Sequence, residues 1–193
     1  MNIDALLMST GVVTLAEMGD KTQLLAFLLA AKFKKPVPII LGILIATILN
    51  HGLAGALGSW ITTLLRPEVL RWVLGISFIG MAIWTLIPDK LDDDENHLGI
   101  KSGVFLTTLI AFFLAEIGDK TQIATVALAA HYTSPITVVI GTTIGMMLAD
   151  VPAVFLGNAF AKKLPLRLIH SIAAMIFALM GLVILLKIDR WFS

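Results

Sequence analysis

The sequence predicts an all-α integral membrane protein of six transmembrane helices, built as two inverted three-helix repeats. Three observations predict it. Of the 193 residues, 58% are hydrophobic and 14% charged, with a mean hydropathy of +0.95, whereas soluble domains use roughly 45–50% apolar residues. The apolar residues gather in six segments, at about 5–31, 37–58, 70–88, 102–130, 136–158 and 168–187, each long enough to supply the ~20 residues that cross a ~30 Å hydrocarbon core. A shift of 99 positions then lays the first half of the chain on the second.

The first segment lacks a basic leader and carries Glu17, Asp20 and Lys21 in its middle, so it reads as a mature helix and not a cleavable signal. Proline, a helix breaker, punctuates the short links: Lys32, Lys34, Lys35 and Pro36 in the first, Arg66 and Pro67 in the second, His131 to Pro135 in the fourth. The third link, Pro88 to His97, is acidic and lies near the midpoint. It reads as a solvated hinge, since it lacks the spacing and turn glycine of an EF-hand loop. The chain therefore divides into a first repeat over 1–91, an acidic linker over 92–98 and a second repeat over 99–193. Trp60, Trp72, Trp84 and Trp191 fall near segment ends, where amphipathic rings favour the headgroup layer.

Lysine and arginine placement sets the expected sidedness. With Lys21 and Lys120 left out as lying inside segments, the first, third and fifth links hold Lys32, Lys34, Lys35, Lys90, Lys101, Lys162, Lys163 and Arg167, against Arg66, Arg71, Lys187 and Arg190 on the other side. The positive-inside rule places those odd links, including the acidic linker, in the cytoplasm and both termini outside. With no cysteine, a metal would be met by oxygen or imidazole. The net charge of +1 gives no reason to expect a nucleic-acid partner. The lipid bilayer is the expected surrounding, and nothing in the sequence sets an oligomeric state.

The 99-residue shift lays Leu15-Ala16-Glu17-Met18-Gly19-Asp20-Lys21-Thr22-Gln23 on Leu114-Ala115-Glu116-Ile117-Gly118-Asp119-Lys120-Thr121-Gln122, eight identities in nine. It also pairs Gly42 with Gly141, Gly58 with Gly157 and Phe78 with Phe177. With an odd number of spans per copy, the second enters the membrane from the opposite side, which gives a pseudo-two-fold axis in the membrane plane and two pseudo-equivalent states. A charged group at mid-membrane costs at least ~2.5–3.5 kcal/mol, so six of them in two copies require a function.

Positions i, i+3 and i+4 share a helix face, which predicts that Glu17, Asp20 and Lys21 point together, as do Glu116, Asp119 and Lys120. Facing across the axis, the copies would form a cage of four carboxylates with Lys21 and Lys120 as counter-charges. Gly19 and Gly118 would interrupt the helices and free backbone carbonyls, while Thr22, Thr121, Gln23 and Gln122 add neutral oxygens. Such oxygen ligands select hard divalent cations: calcium, magnesium or manganese. Crowded carboxylates repel one another when all are ionised, so protons compete with metal for them. Asp150, before Val151-Pro152, is paired by the shift with His51, and is a candidate fifth acid or proton relay. His51 and Asn50 are weaker candidates, and His131 and His170 read as interfacial. These features point to a transporter and not an enzyme. A small-solute exporter for amino acids and a divalent cation channel are the alternatives, and a half-matched aspartyl-protease pattern is a poorer fit.

At Glu17-Met18-Gly19-Asp20-Lys21-Thr22 and Glu116-Ile117-Gly118-Asp119-Lys120-Thr121 the chain resembles the six-helix cation–proton exchangers that include bacterial MneA-type manganese exporters and the Golgi transmembrane protein 165. Both copies match the Glu-x-Gly-Asp-Lys/Arg-Thr/Ser signature at every specified position. The resemblance implies export of Mn2+, or of Ca2+, in exchange for protons by alternating access, without a cofactor. It implies Glu17, Asp20, Glu116 and Asp119 as the ion-binding acids. The short chain is similar to bacterial members, for which manganese export from a bacterial inner membrane is the expected activity.

Overall fold

A computed structural model describes residues 2–87, 103–132, 134–156 and 165–186. The described residues form eight helices and no strand: α1 (Ile3–Glu17), α2 (Lys21–Phe33), α3 (Pro36–Leu64), α4 (Pro67–Thr85), α5 (Val104–Glu116), α6 (Lys120–Tyr132), α7 (Pro135–Leu156) and α8 (Leu166–Leu185). The acidic linker 92–98, Trp191, Gly157 and the lysines at 90, 101, 162 and 163 lie outside the described residues.

Local chemistry accounts for the boundaries. The Asn2 side chain accepts from the Ala5 N–H and starts α1, and α3 and α4 begin with proline, whose missing N–H costs nothing at a first turn. Lys34 closes α2 in the left-handed conformation at φ 53°. The α7 helix runs on through Pro152.

Helices α3, α4, α7 and α8 are each long and apolar enough to cross a membrane. The first and fourth apolar segments are instead each two helices in tandem, α1 with α2 and α5 with α6, which corrects the helical-face argument for the motifs. Gly19 at φ 84° and Gly118 at φ 78° stand at the breaks, in a region that L side chains rarely adopt. Glu17 therefore ends one helix and Lys21 begins the next, so i, i+3 and i+4 geometry does not bring these groups together.

At the 99-residue shift α1 corresponds to α5, α2 to α6, α3 to α7 and α4 to α8. The packing follows the same correspondence across the halves: α3 lies on α5 as α7 lies on α1. Gly42 on α3 is pressed to Thr108 and the Phe105 carbonyl, and its counterpart Gly141 on α7 is pressed to Ser9 and the Leu6 carbonyl. The Thr10 hydroxyl donates to the Gly141 carbonyl at 3.0 Å. Helices α4 and α8 pack on each other, with the counterpart rings Phe78 and Phe177 stacked at 6.2 Å.

Outward-facing surfaces are apolar: Leu53, Ile76, Ile83 and Phe155 are all more than 60% exposed. A hydrocarbon surrounding accepts such a surface, provided that the backbone is satisfied inside helices, and the chain is a multi-pass membrane protein. Close approach at small residues replaces the hydrophobic effect as the packing force there. Gly58→Ala is therefore expected to cost about 1–3 kcal/mol, because the added carbon meets the Val126 carbonyl and Ala129. Gly11→Ala, with nothing among the described residues within 4 Å, should leave thermal unfolding in detergent nearly unchanged. Equal losses in the two variants would count against packing at Gly58 as the cause.

Candidate ion-binding site

The helix breaks bring the acids inward. Glu17, Asp20, Glu116 and Asp119 are all at most 3% exposed. One carboxylate oxygen from each of Glu17, Asp20 and Asp119 lies within 4.8 Å of the others, so oxygens from both halves converge. Glu116 accepts the Thr121 hydroxyl of its own half at 3.0 Å. The same hydroxyl reaches Asp119 at 3.4 Å.

The lysines pair crosswise. Lys120 meets Asp20 at 2.9 Å, and Lys21 meets Asp119 at 3.5 Å, so each half neutralises the other half's aspartate. The two crossings differ in exposure: the Lys120 side chain is 1% exposed and that of Lys21 24%. Neither oxygen of Glu17 has a hydrogen-bond partner among the described residues. A buried carboxylate without compensation costs several kcal/mol, so Glu17 is costly unless a cation or proton joins it.

The glutamines brace the breaks. Gln23 accepts the Gly19 N–H at 2.9 Å and Gln122 accepts the Gly118 N–H at 2.7 Å. Gln23 further donates to the Ala149 carbonyl at 3.0 Å, tying the first break to α7. The Thr22 hydroxyl is buried without a partner among the described residues, as are both oxygens of Asp150 and both ring nitrogens of His51. Asp150 is within electrostatic range of Glu17 and Glu116. Asn50 donates to the Phe113 carbonyl at 3.0 Å and so joins α3 to α5.

One residue was missed by the sequence reading. His170, taken as interfacial, has its Nε2 2.6 Å from the Met18 carbonyl, which only accepts, so Nε2 carries the proton. The available signal was its counterpart at the 99-residue shift, Arg71, which puts a donor at the same place in both halves.

Buried acids from two helix breaks, balanced by two lysines inside a lipid-facing helical bundle, define a membrane transporter of cations and not an enzyme. The chain belongs to the GDT1 family of divalent cation/proton antiporters, which matches residues 5–93 and 104–190. It is 51% identical over 181 residues to a Vibrio cholerae protein named "Putative manganese exporter", covering 93% of this chain and 90% of that one. It is 29% identical to GDT1-like protein 3 of Oryza sativa subsp. japonica, covering 90% of this chain and 71% of that one. To GDT1-like protein 3 of Arabidopsis thaliana it is 28% identical, over 90% of this chain and 68% of that one. No solved structure matches the chain.

Proposed function

We propose that the chain exports a divalent cation, manganese in preference to calcium, in exchange for protons by alternating access across a bacterial inner membrane. The observation that carries this reading is the convergence of Glu17, Asp20 and Asp119 oxygens within 4.8 Å, beside crossed lysine pairs. Four acids less two lysines leave a charge of about minus two when all are ionised, which one divalent ion balances. The Vibrio relative's name favours manganese, which oxygen ligands suit.

Six spans, with α1–α2 and α5–α6 as broken ones, form two inverted repeats, 1–91 and 99–193, joined by the linker 92–98. The matched packing of α3 on α5 and α7 on α1 supports this arrangement. Both termini lie outside and the linker in the cytoplasm, as the lysine-rich links argue. Glu17, Asp20 and Asp119 bind the ion, with Glu116 beside them as the acid that carries the proton. Asp150 extends the acid set, Thr22 and Thr121 offer hydroxyl oxygens, and Gln23 and Gln122 hold the breaks in shape. Lys21 and Lys120 have no lone pair when charged, so they occupy the aspartates between ions. Protons driven inward displace the ion outside and leave inside as the next ion binds.

The test uses vesicles containing the purified chain and a pH-sensitive dye. Manganese entry should drive protons the opposite way, and Glu116→Gln should remove that proton movement. With the voltage clamped, manganese flux at constant internal pH would mean uniport and refute the exchange.

A further inference from the structure

The two helix breaks are alike in sequence but not in their surroundings. At the first, Leu166 lies on Gly19 and His170 donates to the Met18 carbonyl at 2.6 Å, so the start of α8 seals the break. The 99-residue shift carries these four residues onto Pro67, Gly118, Arg71 and Ile117. At that second break nothing among the described residues lies within 4 Å of a carbon added to Gly118, and Ile117 is 54% exposed. Arg71 stacks beside Trp72 at 5.5 Å, and its enclosed Nε has no hydrogen-bond partner among the described residues.

The asymmetry extends along the whole α4–α8 pair. It packs on α1 and α6 and makes no comparable contact with α2 and α5, although α5 and α2 are the counterparts of α1 and α6. The pair is its own counterpart, crossing at Phe78 and Phe177, and therefore has an equivalent seat on the other side. Lys21, which begins α2 on that uncovered side, is more exposed than Lys120.

We propose that the α4–α8 pair is the moving gate and that His170 and Arg71 are its two latches: Arg71 docks on the Ile117 carbonyl, with Pro67 over Gly118, as His170 and Leu166 release Met18 and Gly19. The inference rests on the alternating-access reading above and supplies its moving part. A guanidinium and an imidazole N–H both donate to a carbonyl, so one device serves both ends in two chemical forms. The latches are positioning residues: they touch the breaks and not the ion.

The chain has no cysteine, so introduced pairs are its sole thiols. In vesicles, the full chain with Met18→Cys and Leu166→Cys reports the state described, and Ile117→Cys with Pro67→Cys reports the other. Both pairs should cross-link with a short bifunctional reagent. His170→Ala should lower the first yield and raise the second at least threefold, Arg71→Ala should do the reverse, and His170→Gln, which keeps a donor, should restore the balance. A merely structural histidine would lower the first yield without raising the second, which overturns the proposal. Spin labels at exposed Val69 and Leu114 give a reading that does not depend on cross-linking: two exchanging distance populations are expected, and a single one with and without manganese overturns the gate. Exchange of the two cross-links without any manganese flux would keep the gate and refute the transport reading.

Discussion

Glu17→Ala and Asp119→Ala proteins are expected to fold and to lose manganese transport by more than about 100-fold, since loss of an outer partner of a metal ligand already costs 10–100-fold. Each supplies an oxygen to the cluster of three. The two differ in their effect on the resting protein. Both oxygens of Glu17 lack hydrogen-bond partners among the described residues, so Glu17→Gln removes a poorly compensated buried group and should leave the melting temperature unchanged or higher. Asp119 is paired with Lys21 at 3.5 Å, and its removal should lower stability slightly while it abolishes flux. Vesicle uptake and thermal unfolding measured on the same preparations separate these effects. Wild-type transport in both alanine variants would place the ion elsewhere.

Lys120→Ala should be the most destabilising of the charge removals. Its ammonium is 1% exposed and lies 2.9 Å from an Asp20 carboxylate that is fully enclosed, and taking one partner from a buried pair costs about 3–5 kcal/mol. Lys21, at 24% exposure and 3.5 Å from an Asp119 side chain that is 4% exposed, forms a longer and half-open pair, which contributes less than the enclosed one. Lys21→Ala should therefore lower melting less than Lys120→Ala does, and should alter turnover more than ion choice. Asp20→Asn combined with Lys120→Met should recover part of the loss in Lys120→Ala, because the remaining charge is no longer stranded. Equal melting losses for the two lysines would show that the difference in burial does not govern their contribution.

Much of the architecture was legible in the residues because lipid imposes a simple constraint: apolar length sets the spans and every backbone group must bond internally. The eight-in-nine identity between the motifs likewise exposed the repeat, and the glycines marked the breaks. Helical periodicity misled at those places. It put Glu17, Asp20 and Lys21 on one face, but periodicity holds only while the backbone stays helical, and Gly19 at φ 84° ends it.

By itself the sequence determined that the chain lies in a membrane, that its halves are copies and that four acids and two lysines fall inside its apolar segments. These follow from composition and repetition, which are additive along the chain. Only the tertiary structure decided that Lys21 pairs with Asp119 and Lys120 with Asp20, that Glu116 accepts the Thr121 hydroxyl, and that His170 rather than Arg71 holds a helix break. Two copies of one motif have the same local preferences, so sequence cannot rank pairing within a copy against pairing across copies. That choice depends on where α3 and α7 set the two breaks against each other.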